Sequence, residues 1–150
     1  MLPRFWKLSH GTDQFSHEEI LHFMDVRLVL VHQNTPPKGG SKRSQGDDFA
    51  EAPIGDYFYL THGNQGILLL GQFTGPANVF SEKQEGWLDR PYRVIAVSTS
   101  PRPYEGPKKW WTPNDNSTFV AVPPDELMQF EAAILGPYFR IKLVDSGVDT

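Results

Sequence analysis

The sequence predicts an α+β domain in which a curved, mostly antiparallel sheet or small β-barrel is flanked by two or three helices. Three observations carry that expectation. Short runs of β-branched, aliphatic and aromatic residues recur between turn signals, as at Phe5–Leu8, Val26–Val31, Asp56–Thr61 and Ile67–Thr74. The 13 Gly and 13 Pro residues favour many turns over a helical bundle. The length of 150 residues suits one domain with one real core. Residues 1–145 are expected to form that domain, with 146–150 a polar tail or linker.

The elements follow in order. Phe5–Leu8 opens as a strand, with aromatic and aliphatic residues around Lys7. A helix begins after Ser16, which is a good N-cap; Glu19 completes a capping box and Phe15 can staple onto Ile20. Ile20, Leu21, Phe23 and Met24 recur at helical spacing, and Val26–Val31 then reads as a strand. Asn34–Pro53 is irregular: Pro36–Arg43 is poor in apolar residues and basic, before Asp47, Asp48 and Glu51 reverse the sign. So long a stretch without structure of its own is usually functional or mobile. Asp56–Thr61, the turn Gly63-Asn64-Gln65-Gly66 and the apolar run Ile67–Thr74 form the clearest hairpin. Gly75–Trp87 reads as a loop, Tyr92–Ser98 as a strand buried on both faces, Pro101–Pro113 as a second Pro-rich loop, and Thr118–Val122 as a short strand. Pro124-Asp125-Glu126 opens a helix through Ala133, with Leu127, Phe130, Ala133 and Ile134 on one stripe. Tyr138–Val144 is expected to close the fold as a strand.

Composition narrows the function classes. Hydrophobic residues make up 39% and aromatics 13% of the chain, which excludes a disordered protein. The longest uncharged apolar run, Gly66–Phe73, falls far short of the roughly 18 residues of a membrane span. The absence of Cys excludes a disulfide framework, thiol catalysis and a Cys-type zinc site. The N-terminus lacks the apolar core of a signal peptide, so a soluble cytoplasmic domain with no membrane partner is expected. A protein that binds nucleic acid through its overall field is normally basic, whereas the net charge here is −4. A nucleic-acid reading must therefore rest on local patches and a pocket.

Catalytic motifs are missing. His10, His17, His22, His32 and His62 include no HExxH pair, so no metal site is expected. No Gly-x-Ser-x-Gly elbow, no phosphate-binding Gly loop and no isolated carboxylate pair stands out. Binding without a cofactor is expected, not catalysis. The aromatics Phe80, Trp87, Trp110 and Trp111 fall in polar, Pro/Gly-rich loops. They either cap the core or line a slot for a planar or methylated group, where stacking a base contributes about 1–3 kcal/mol. Lys38, Lys42, Arg43, Lys108 and Lys109 beside such a slot would contact phosphates.

Several segments resemble the EVE domain of the PUA superfamily and, more distantly, its YTH relatives. Phe5-Trp6-Lys7-Leu8-Ser9 resembles the family's first strand, and Met24-Asp25-Val26-Arg27 with His32-Gln33-Asn34 resembles the segment after its first helix. Pro53-Ile54-Gly55-Asp56 followed by Tyr57–Gly63 resembles the family's Gly-Asp-apolar strand, and Gly66–Phe73 matches the strand after it. Phe80–Trp87 falls where the YTH group has a pocket Trp, with Phe80 the nearest counterpart and Trp87 a rival. Residues 4 to 98 carry the match, and Met24-Asp25 stand where the family often has Trp.

The resemblance implies a reader of modified bases, as in the N-terminal modules of McrB-like subunits of modification-dependent restriction systems. The expected function is binding of methylated or hydroxymethylated DNA by accepting a flipped base in an aromatic pocket. A fused or separate NTPase/nuclease subunit would supply any catalysis. Phe80 and Trp87 would stack on the base, with Trp110 or Trp111 as a further wall. Ser9, His10, Asp25 and Asn34 would bond the base edge, and Arg27 would position a carboxylate or contact phosphate. The alternative is a PUA-like RNA-binding or protein-interaction module with no nucleobase specificity.

Overall fold

The computed structural model describes residues 3–79, 81–83 and 85–143. Its strands are β1 (Phe5–Ser9), β2 (Leu28–His32), β3 (Tyr57–Thr61), β4 (Ile67–Phe73), β5 (Trp87–Val97) and β6 (Phe119–Ala121). They form one curled, half-barrel mixed sheet in the order β2-β5-β4-β3-β1-β6. Only β1 and β3 run parallel; the remaining neighbours are antiparallel. The fold is α+β, as the sequence predicts.

The curl originates in β5. Trp87–Pro91 pair with β2, whereas Tyr92–Val97 pair with β4. A bulge at Leu70/Gly71 leaves Ile95 without a partner and adds local twist. Pro91, which has no N–H to give a ladder, sits where the strand changes neighbours. Strand alternation then divides the core. Phe5, Tyr57 and Tyr59 point to one face, where they meet Trp111, Phe130 and Ile134. Trp6, Leu8, Phe58 and Leu60 point to the other, against Phe49 and Phe119.

Helix α1 (His17–Asp25) starts with the expected capping box: Ser16 Oγ accepts from the Glu19 N–H (3.1 Å) while Glu19 Oε1 accepts from the Ser16 N–H (3.1 Å). Its Ile20 and Phe23 bury against Phe15, Leu30 and Trp87. The supposedly irregular stretch 34–53 contains a second helix, α2 (Gln45–Glu51), capped by Ser44 and acidic in its first turn. Two turns are too short to show periodicity in a sequence. Tertiary contact fixes α2: a Cβ on Gly46 would lie 2.5 Å from the Gln33 carbonyl, so helix and β2–α2 loop touch backbone to backbone. Arg90, 1% exposed, then ties the helix end to the sheet by donating to the Phe49, Ala52 and Gly75 carbonyls at 2.6–3.1 Å. A cation on the last carbonyls of a helix is favoured by its dipole.

The expected closing strand is not there. A 3-10 turn (Pro124–Glu126), α3 (Leu127–Phe130), a π-helical turn (Glu131–Leu135) and α4 (Gly136–Phe139) follow one another as one helical run. Tyr138 and Phe139 continue the buried stripe of Ile134 and Leu135 instead of starting a strand. Pro137 cannot donate within the run, and the wider π turn before it accommodates its ring. Arg140 ends the run at φ 57°, and Ile141–Leu143 are not strand; Val144 and the tail 146–150 lie outside the described residues. Among the described residues no helix is long and apolar enough to cross a membrane.

Candidate functional site

Four loops and the end of β1 converge where the parallel strands β1 and β3 stop. Ser9 closes β1, Gly11–Gln14 lead into α1, Thr35, Pro36 and Lys38 follow β2, Gly63 and Asn64 turn out of β3, and Pro113–Thr118 precede β6. Together they line a half-open cavity of about 510 Å³ whose lining residues are mostly polar. Gln45 at the start of α2 frames it: the buried amide donates to the Pro36 carbonyl (2.8 Å), and Oε1 accepts from the N–H groups of Thr118 and Phe119 (both 2.7 Å). One side chain thereby joins helix, loop and edge strand.

Lys7 lies beneath this wall. It sits on the same face of β1 as Phe5, is fully buried, and donates through Nζ to the Asp115 carbonyl (2.8 Å) and Ser117 Oγ (2.9 Å). Burial pushes its amine down to about 7, Asp115 pulls the other way, and the positive charges of Lys38 and Lys108 add to the fall. Ser117 Oγ passes the chain on to the Trp110 carbonyl.

A second cavity of about 490 Å³ opens along β6 and α2. Trp110, 51% exposed, forms one wall with Lys38 Nζ 5.3 Å from its ring centre, and Arg4 covers Trp6 at 4.6 Å. Lys38 lines both cavities.

The residues expected to form the site are distributed differently. Ser9 and Lys38 line the polar cavity, and Trp110, Lys38 and Arg43 line the second. Trp87 is not a loop residue: it begins β5 opposite His32 and is buried against Phe15. Trp111 is 2% exposed, packs edge-on against Phe130 and donates to Glu126 Oε1 (2.8 Å). Phe80 lies outside the described residues. The rings that are described thus do not gather on a single aromatic slot.

His10 is likewise a core residue. It stacks on Phe15 at 4.1 Å, and its Nε2 accepts from the Leu30 N–H (3.1 Å), which requires a neutral ring. Burial pushes it down to about 3. Asp25, Arg27 and Asn34 are exposed and line neither cavity; Arg27 donates to the Met24 carbonyl, and the Asn34 N–H donates to His32 Nδ1 (3.1 Å). Among the expected phosphate contacts, Arg43 pairs with Asp48 and Glu51, and Lys109 with Glu126 (3.7 Å). Lys42 and Lys108 are exposed. Sequence reasoning missed Lys7, Gln45, Asn64 and the run Asn114–Ser117. The available signals were a lysine within an apolar strand and a polar, turn-prone run directly before a short strand.

Comparison with known proteins informs the fold only. No protein-family model matches the chain, and no curated protein matches it. Two solved structures are similar in fold. Protein Atu2648 from Agrobacterium tumefaciens aligns over 84% of this chain and 89% of its own, with 14% identity and a TM-score of 0.52. Protein PSPTO5229 from Pseudomonas syringae aligns over 85% of this chain and 97% of its own, with 10% identity and a TM-score of 0.54.

Proposed function

We propose that the chain is a nucleobase-binding module that admits an extruded base of DNA to the polar cavity at the end of β1 and β3. One observation supports this above the rest: the cavity combines a size within the ~300–1,000 Å³ typical of small-ligand pockets with a mostly polar lining. A polar wall suits a heterocycle that carries donors and acceptors on its own rim. Extrusion costs a few kcal/mol, which hydrogen bonds in a sheltered site offset. Pro36 and Pro113 offer the apolar faces that loop tryptophans were expected to supply.

The resemblance to EVE domains adds the remainder of the proposal. The base would be methylated or hydroxymethylated, and the chain would act as the recognition module of a modification-dependent restriction system, catalysis residing in a fused or partner NTPase/nuclease. The test is a titration of matched DNA and RNA oligonucleotides, with and without the modification, at two salt concentrations. Tighter binding of modified DNA is expected. Equal affinity for both forms removes modification reading, and no binding at low salt removes the proposal as a whole.

Trp110 favours a second reading. A half-exposed indole next to Lys38 suits an RNA-binding or protein-interaction surface without base specificity. That reading expects Trp110→Ala to abolish binding and substitutions of Asn64 or Asn116 in the polar cavity to leave it intact.

A further inference from the structure

Most inner polar groups of the first cavity are already engaged. Gln45 spends its amide on Pro36, Thr118 and Phe119; Asn114 donates to the Gly106 carbonyl (3.1 Å) and accepts from Thr112 Oγ1 (2.6 Å). Ser117 is held between Lys7 and the Trp110 carbonyl, and Asn64 Nδ2 donates to the Tyr104 carbonyl (3.2 Å). Asp115 differs. Its backbone is fixed, the carbonyl by Lys7 and the N–H by Thr112 O (3.2 Å). Its carboxylate takes no hydrogen bond and no ion pair among the described residues, and Oδ2 is shielded from solvent, leaving Oδ1 as the oxygen that solvent reaches. The Lys7 amine attracts the carboxylate through space but gives its hydrogen bonds to the Asp115 carbonyl and Ser117, not to the carboxylate oxygens.

A half-shielded carboxylate on a cavity wall is an acceptor waiting for a donor. We propose that Asp115 selects the base, accepting a hydrogen bond from an exocyclic amino group through Oδ1. This rests on the reading that the cavity takes a base. The class selected is the amino-bearing bases: cytosine, adenine or guanine. Thymine and uracil are disfavoured, because their one ring N–H lies between two carbonyl oxygens that a carboxylate repels. A monomethylated amino group keeps one N–H and remains a ligand, while a dimethylated one does not.

The experiment compares short single-stranded oligonucleotides that differ by one amine at the central base: cytosine against 2-pyrimidinone, adenine against purine, guanine against hypoxanthine. With the unmodified chain, deleting the amine from the preferred base weakens binding roughly 10- to 100-fold, as for a hydrogen bond to a charged group. Asp115→Ala, with its thermal midpoint verified against the parent, brings that ratio close to one, and Asp115→Asn, which keeps a neutral acceptor oxygen, lowers it without abolishing it. Oligonucleotides that bind with a ratio of one in all three pairs overturn the assignment to Asp115 and leave base binding standing. A ratio that persists undiminished in both variants does the same. If no oligonucleotide binds, the assignment and the underlying reading fall together.

Discussion

Lys7 gives the sharpest physical prediction of the account. Its amine is fully buried on β1 and its pKa falls from 10.5 to about 7, chiefly through burial. The unfolded chain therefore holds this proton up to about pH 10.5, whereas the folded chain releases it from about pH 7. Between those values the unfolded state binds more protons, so stability rises with pH. At about 1.4 kcal/mol per pH unit, and allowing for half-titration at the lower end, the rise from pH 7 to 9.5 is about 3 kcal/mol. Lys7→Met removes the titrating group and with it that slope. The window stops below pH 10 because Tyr59, Tyr92, Tyr104 and Tyr138 are all pushed upward by burial and would reverse the trend above it. Urea unfolding of both proteins at pH 7, 8, 9 and 9.5 is the assay. Parallel stability curves for parent and variant would refute the reasoning, since the amine would then titrate as it does in water.

Four further outcomes are expected. Arg90→Met strands the Phe49, Ala52 and Gly75 carbonyls in the core, and a loss of about 3–5 kcal/mol in chemical denaturation is expected for removal of a buried cation's contacts. Trp111→Ala costs about 3–5 kcal/mol, because Trp111 is packed against Phe130 in the core. Trp110→Ala shifts stability by less than about 0.5 kcal/mol, since its ring is half exposed; equal losses in thermal scans of the two variants would contradict the placement of these neighbours. His10, depressed to about 3 by burial, contributes stability that is fully present above pH 6.5 and is lost as pH falls from 6.5 toward 3. His10→Gln, which keeps an acceptor for the Leu30 N–H, should flatten that acid limb in pH-dependent denaturation.

The outline of the fold was legible because its signals are local. The Ser16/Glu19 box and the hairpin around Gly63–Gly66 announce α1 and the β3–β4 pair from a few adjacent residues. Elements set by distant partners were not legible. The α2 helix depends on the fit of Gly46 against Gln33 and on Arg90 reaching its carbonyls from β5. The helical run through Phe139 outcompetes a strand because Tyr138 and Phe139 complete a buried stripe. Site residues suffered most. A tryptophan in a Pro/Gly-rich stretch looks alike whether it faces a cavity or the core, and Trp110 and Trp111 took opposite sides one residue apart. Gln45 and Asp115 carry no periodicity at all; their places follow from hydrogen bonds spanning more than 70 residues, such as those from Gln45 to Thr118 and from Lys7 to Asp115.

The location of base binding is measured most directly by amide chemical-shift mapping of the labelled chain during addition of a short oligonucleotide. The account predicts saturable shifts centred on Ser9, Thr12, Asn64 and Asn114–Thr118, with Lys38 following. Shifts confined instead to the exposed patch of Asp25 and Arg27, or a spectrum that stays unchanged at low salt, would contradict it.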